Sequence, residues 1–403
     1  MTPVVPRPVE VIRVLFPSGG GTCEGDLYLP HAAPEAGPEE RREERREARP
    51  EERPEARPEA GPASGRASTP ASGSASAPGP PPVVVMAHGI GAERAFGLDR
   101  FARRFAARGL AVLTFDYRHF GGSSGTPRHL VVPARQREDY RAALAFVRGD
   151  PRVDARRIAL WGTSFSGGHV LAVAADAPAG LQAVVSQIPF VSGMASTLAY
   201  PFRYQLPATV LGVVDAMRGA LGVSPLTVPV VRERGLALLA SPDSRDGYLG
   251  MVPEHSGWTG RVPARVFLEV LRYHPGLRAH RIAVPVLVVG AEKDAICPIG
   301  ATRRMVRWLP DGEFHALPMG HFDPYQGAWF ERVVDLETGF LERHLLDEDR
   351  QEPDRQHQGS LHPDRHAPDP QGKERQDPDP HDPDPQHQGP KDQHHLELEQ
   401  DGG

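Results

Sequence analysis

Three residues of this chain have the types and the spacing for nucleophilic acyl chemistry: Ser164, Asp294 and His321. Ser164 stands in Gly162-Thr163-Ser164-Phe165-Ser166-Gly167-Gly168-His169. An apolar run, Ile158 to Trp161, ends in small residues there, and a helix-compatible run, Gly167 to Ala175, follows. This is the sequence form of a strand, a very tight turn and a helix, with Ser164 at the apex and Gly162 leaving room two residues earlier. Such an elbow lifts the hydroxyl clear of a sheet and aims the first N–H groups of the helix at the same space.

A serine hydroxyl is a poor nucleophile near neutral pH. It needs an imidazole to take its proton, and the imidazole needs a carboxylate to fix its tautomer and to stabilise it when charged. In an open parallel sheet, chemistry gathers at the carboxyl ends of the strands. Asp294 lies five residues past the apolar run Val286 to Val289, in Gly290-Ala291-Glu292-Lys293-Asp294-Ala295-Ile296-Cys297-Pro298. His321 lies four residues past Glu313 to Leu317, in Pro318-Met319-Gly320-His321-Phe322-Asp323. The charge on a tetrahedral oxygen also needs donors. Phe165, directly after the serine, supplies one N–H, and Ile90, in His88-Gly89-Ile90-Gly91 after another apolar strand, supplies the second. Loss of one such donor typically costs about 3 kcal/mol of transition-state stabilisation.

Each of these residues has rivals. Ser166 takes the place where an elbow usually has its second glycine, and is read as packing at the helix start or capping it. Glu292 falls early in the loop that holds Asp294, and Asp323 is too close to His321 in sequence to approach it from the expected side. Among the histidines, His315 lies within a strand, His169 reads as packed in the helix after the elbow, and His88 as a brace for the turn at Ile90. Asp116 and Arg118 end a strand and read as loop ties. Cys297 has no histidine beside it in sequence and reads as a small packed residue.

The elements that must position these groups alternate. Val9 to Phe16 and Cys23 to Leu29, around Gly19-Gly20-Gly21, read as an edge hairpin over residues 1–33. Apolar strands follow at Pro82–Ala87, Ala111–Phe115, Ile158–Trp161, Ala183–Ile188, Val284–Val289 and Glu313–Leu317, with helical patterns between them. Strands alternating with helices need crossover connections, so the fold class is α/β, a mostly parallel, doubly wound sheet covered on both faces. Residues 83–189 and 281–346 form the two parts of that core. Between them, 190–280 shows no clear strand and is punctuated by aromatics such as Tyr200, Trp258 and Tyr273; it reads as a helical lid insertion.

The ordered pattern His-Gly, Asp-Tyr-Arg-x-Phe-Gly-x-Ser, Gly-x-Ser-x-x-Gly, Gly-x-x-Asp and Gly-His runs from Pro82 to Leu346. It resembles the α/β-hydrolase superfamily, whose chain order is nucleophile, acid, histidine. The fuller strings, including Asp116 to Gly121 and Gly320-His321-Phe322-Asp323, are similar to the Xaa-Pro dipeptidyl-peptidase-like hydrolases and the related fungal polyketide transferases. The resemblance implies a Ser164, Asp294, His321 triad. A serine at the elbow argues against dehalogenase or epoxide-hydrolase chemistry, which needs a carboxylate nucleophile. An acyl-serine intermediate is the expectation, resolved by water (esterase, thioesterase or peptidase) or by another acceptor (acyltransferase). A non-catalytic binding module on the same fold is the remaining alternative.

Composition bounds the rest. Residues 34–82 are almost entirely Pro, Glu, Arg, Ala, Gly and Ser, and 347–403 are mostly Asp, Pro, His, Gln and Glu. Neither can bury enough apolar surface to offset ordering entropy, so both read as disordered. The net charge of −6 is concentrated: from Asp347 on, 16 Asp and Glu stand against 6 Lys and Arg. The remainder is mildly basic, too mildly for a nucleic-acid surface. Two cysteines make no disulfide framework and no metal cluster, and the seven tail histidines read as solvated low-complexity sequence. No signal peptide and no run of roughly 18 apolar residues is visible, which places the expected protein in the cytoplasm without a membrane span. The expected partner is a small-molecule acyl substrate, with no metal or organic cofactor; a homodimer is compatible with this composition.

Overall fold

The structure, a computed structural model, describes residues 9–30 and 79–347. The expected disordered insert and tail, and the tail histidines, lie outside the described residues except for 79–82 and Asp347. Strands β1 (Val9–Ser18) and β2 (Gly21–Pro30) pair antiparallel over their whole length, Val9 opposite Pro30 and Ser18 opposite Gly21. Gly19 and Gly20, at φ 48° and 79°, make the two-residue turn whose left-handed backbone matches strand twist.

The core then runs β3 (Pro82–Ala87), α1 (Leu98–Ala107), β4 (Ala111–Phe115), α2 (Pro133–Gly149), β5 (Asp154–Thr163), α3 (Phe165–Ala174) and β6 (Leu181–Gln187). A second series follows: α4 (Gly193–Ala199), α5 (Phe202–Ala220), β7 (Thr227–Pro229), α6 (Ser244–Leu249), β8 (Arg261–Pro263) and α7 (Val266–Arg272). The core resumes with β9 (Val286–Ala291), α8 (Ile299–Val306), β10 (Gly312–Leu317) and α9 (Gly327–Leu345). Eight strands form one sheet in the order β1-β2-β4-β3-β5-β6-β9-β10. β2 is antiparallel to β1 and β4, and the other neighbours are parallel.

Strand side chains alternate between two apolar layers. Val83, Val85 and Ala87 of β3 join Leu113, Phe115, Leu160, Tyr140 and Val170 on one face. Val84 and Met86 join Trp161, Leu287 and Val289 on the other, covered by Phe101 and Phe105 of α1 and Val333, Val334 and Phe340 of α9. Because both faces are covered, every residue of β3, β4 and β9 is buried. One carboxyl is sealed in the second layer. Glu337 of α9 is fully buried; it accepts a bond from the Trp161 Nε1–H at 2.9 Å, and its other oxygen has no partner among the described residues. Burial pushes its pKa up to about 8.

The segment between β6 and β9 departs from the sequence reading in one respect. β7 and β8 pair antiparallel, Val228 opposite Val262. At three residues each, closed by Pro229 and Pro263, they are too short to show a period and cannot extend their ladder through proline. α5 is tied down by the buried Asp215, which accepts from the N–H of Leu226 (2.7 Å) and from the N–H and Nε of Arg265 (2.9 and 2.7 Å). Among the described residues no helix is long and apolar enough to cross a membrane.

Candidate active site

The turn between β5 and α3 holds Ser164 at φ 55° and ψ −118°, a conformation that costs energy for a residue with a β-carbon. β6 and the residues after it hold that strained apex. The Ser164 N–H donates to the Gln187 carbonyl at 2.9 Å, and the Ser164 carbonyl accepts from the Phe190 N–H at 2.8 Å. Gly162 is obligatory, since a β-carbon there would lie 2.3 Å from the Ser166 carbonyl oxygen.

Ser166 neither competes with Ser164 nor caps the helix, correcting the capping alternative. It lies inside α3, fully buried, with its hydroxyl in a relay. The Tyr117 hydroxyl donates to Ser166 Oγ (3.1 Å), which lies 2.6 Å from the Tyr140 hydroxyl, and Tyr140 donates in turn to the Trp161 carbonyl (2.9 Å). Ser166→Ala removes the middle of that chain and leaves two buried phenols short of a partner. It should therefore cost about 1–3 kcal/mol of stability, read as a lowered urea midpoint at unchanged slope.

β9 runs to Ala291, so Asp294 stands three residues past its end rather than five. Asp294 Oδ1 accepts from the N–H groups of Ile296 and Cys297 at 2.8 and 2.7 Å, which fixes the carboxylate in its loop. Its Oδ2 is 2.7 Å from His321 Nδ1, and His321 Nε2 is 3.0 Å from Ser164 Oγ. The structure thus brings Ser164, His321 and Asp294 into one hydrogen-bonded line, with Ser164 and His321 buried to within a few per cent. With Nδ1 donating to the carboxylate, Nε2 is the lone-pair side facing the hydroxyl, the arrangement in which an imidazole can receive the serine proton.

Ile90 and Phe165 flank Ser164 on the wall of a cavity of about 210 Å³. The Phe165 N–H is the first of α3, one of the groups a helix leaves without an intrahelical partner. The Ile90 N–H donates to no backbone acceptor among the described residues. The turn at Ile90 is braced by residues that sequence reasoning did not single out. The Tyr248 hydroxyl donates to the Ile90 carbonyl at 3.0 Å, and Trp258 Nε1 donates to the Gly91 carbonyl at 2.9 Å. Phe190, Tyr200, Leu239, Phe267 and Val270 make the rest of the cavity largely apolar.

The rival residues are placed elsewhere. Glu292 pairs with Arg303 on the surface, Asp323 accepts from the Gly320 N–H, and His315 pairs with Glu313. His88 and His169 are sealed in the core, and burial lowers the pKa of both, so each is a neutral packing ring rather than a base. His169 sits between the Tyr273 hydroxyl (2.8 Å) and Gln136 Oε1 (3.1 Å). Asp116 ties the Arg94 N–H and guanidinium to the Gly122 N–H, and Arg118 ties Asp139, Glu138 and the Gly19 carbonyl. Cys297 differs from its reading as a merely packed residue: it lines the cavity, and its thiol lies within 4.8 Å of donor atoms of Asp294 and His321. Burial, with Asp294 beside it, pushes the pKa of that thiol well up, so it ionises less readily than an ordinary cysteine. Its position had a signal in sequence, an Asp followed three residues later by the Cys whose N–H it accepts.

A mostly parallel eight-stranded sheet, with a strained serine at a strand-to-helix elbow facing a histidine beyond the last strand, defines an α/β-hydrolase. A family model described as serine aminopeptidase, S33, matches residues 79–321, and the chain belongs to that family. It is 42% identical over 263 residues to the quorum-quenching protein AidA of Acinetobacter baumannii, covering 65% of this chain and 86% of that one. It is 29% identical over 275 residues to the polyketide transferase af380 of Aspergillus fumigatus, covering 66% and 90%. The solved structure of the α/β-hydrolase GrgF from Penicillium superposes with a TM-score of 0.60 at 21% identity, over 84% of this chain and 99% of that chain.

Proposed function

We propose that this hydrolase is a serine enzyme that cleaves a small ester, thioester or amide through an acyl-Ser164 intermediate. The observation that carries the reading is the Ser164–His321–Asp294 line at the wall of an apolar cavity. Ser164 Oγ attacks the acyl carbon as His321 Nε2 takes its proton, and the Ile90 and Phe165 N–H groups receive the oxyanion. His321 then protonates the leaving oxygen, sulfur or nitrogen. A water, deprotonated by His321, attacks the acyl carbon and returns the free serine and the acid. Asp294 holds the ring through Nδ1 and offsets its positive charge. In this reading residues 190–280 act as the lid that makes the site dry, supplying Tyr200, Leu239, Phe267 and Val270 to the acyl pocket. A relative named thiohydrolase supports thioester cleavage as one form of this chemistry.

A second reading, acyl transfer to an alcohol or amine, is supported by relatives named polyketide transferase and acyltransferase. A fluorophosphonate probe should label the wild-type chain and leave Ser164→Ala unlabelled; equal labelling of both would remove the nucleophile from the proposal. Product partition from an acyl thioester, with and without added alcohol, separates the two acceptors. Exclusive formation of the acid would leave hydrolysis alone.

A further inference from the structure

α5 has two unlike faces. Ala208, Gly212 and Asp215 are buried, with Gly212 close against Leu268 and Asp215 held by Arg265. The other face, continued by Leu221 just past the helix end, presents Phe202, Leu206, Val210, Val213 and Met217 to solvent, from 43% exposed at Val213 to 87% at Phe202. At 3.6 residues per turn these six lie within an arc of about 100°, in a stripe roughly 28 Å long. Scaled by their exposures, they show roughly 700 Å² per chain, above the few hundred Å² of apolar patch usual on a monomer.

The spacing of the six is palindromic: four, four, three, four and four residues. Reversing the helix direction leaves the pattern unchanged. An antiparallel second helix of the same sequence therefore sets Phe202 against Leu221, Leu206 against Met217 and Val210 against Val213. That self-complementarity is the requirement of an isologous two-fold interface. Two such stripes would bury about 1,400 Å² in total, within the size of stable specific interfaces.

The two long segments of the chain outside the described residues are poor candidates for covering the stripe. Residues 31–78 contain no Val, Ile, Leu, Met or aromatic residue, and 348–403 contain three leucines and none of the others. A membrane surface fits less well, because α5 has only Arg203 and Arg218 as cations, whereas interfacial helices carry a strongly basic polar face.

We propose that two copies of this chain pair through the α5 stripe, antiparallel about a two-fold axis near Leu211 and Gly212. Since Gln205, Ala208 and Thr209 of the same helix line the cavity, pairing would fasten one wall of the active site from outside.

Sedimentation and light scattering of the full chain at 1–50 µM should give twice the 43.8 kDa chain mass. The double substitution Leu206→Glu, Met217→Glu should weaken association at least about 100-fold and return the single mass, while far-UV circular dichroism and a cooperative thermal melt report an intact fold. A second variant covers the case in which those glutamates prevent folding. Leu206→Cys with Met217→Cys places thiols about 16 Å apart along one helix, too far to bridge within a chain. Oxidation should therefore give a doubled band on non-reducing gels. A wild-type monomer throughout, a glutamate variant that pairs as tightly as wild type, or absence of the cross-link would each overturn the proposal. So would flotation of monomeric wild type with phosphatidylcholine–phosphatidylglycerol vesicles.

Discussion

Ser164→Ala is expected to lower kcat on a p-nitrophenyl ester by at least about 10⁴-fold, with KM changed far less. The size of the effect follows from the geometry. Among the described residues His321 Nε2 is hydrogen-bonded to Ser164 Oγ at 3.0 Å, and the variant removes the hydroxyl that this imidazole faces. The Cys297 thiol lines the same cavity, and burial pushes its pKa well up, which disfavours the thiolate. What remains in the variant is the cavity and the two N–H donors, enough to bind an acyl group and polarise its carbonyl. The fold should survive: the apex is held by backbone bonds to Gln187 and Phe190, which alanine keeps. Steady-state rates beside a thermal melt make the check. A stable variant retaining a few per cent of wild-type turnover would show that the line of three residues does not act as the proposed unit.

The second large effect concerns pH. Glu337 is sealed beside Trp161 and its carboxyl titrates near pH 8 in the fold, against an ordinary 4.5. Below about pH 4.5 both folded and unfolded chains carry the proton and the group is indifferent to pH. Above it the unfolded chain ionises while the folded one cannot, so stability drains away as pH rises to about 8. Beyond that the loss levels off at roughly 5 kcal/mol, the free-energy equivalent of the difference between the two pKa values. Glu337→Gln keeps a polar neutral side chain against the Trp161 N–H and has no proton to lose. The denaturant midpoint of wild type should fall relative to that of the variant between pH 5 and about 8, the gap widening toward the alkaline end. Parallel curves would mean that the carboxyl finds a way to ionise inside the fold.

The parts of this molecule that were legible in sequence are those whose signal is local. The parallel strands announce themselves because burial on both faces leaves runs such as Val83-Val84-Val85-Met86 with no polar residue. Ser164, Asp294 and His321 were legible as positions because each follows such a run within a few residues, where an open sheet exposes its carboxyl edge. The relay Tyr117–Ser166–Tyr140–Trp161 joins four elements, and no spacing in the sequence encodes it. Trp258 was visible only as one aromatic in an irregular stretch, and Tyr248 not at all; that they brace the turn at Ile90 depends on how the segment between β6 and β9 folds back. The three-residue pair β7 and β8 is likewise below the length at which alternation can be read.

The strand order has a consequence for the long connection between β2 and β3. β2 runs antiparallel to β4 and ends at Pro30, beside the start of β4, and β3 begins at Pro82 on the other side of that same strand. The two ends are thus only two strand spacings apart, about 10 Å. Fifty-one residues separate two ends that a connection of about six could join. Both ends lie at the amino edge of the parallel strands, across the sheet from Ser164. The free-energy cost of closing a flexible connection across such a gap grows only with the logarithm of its length.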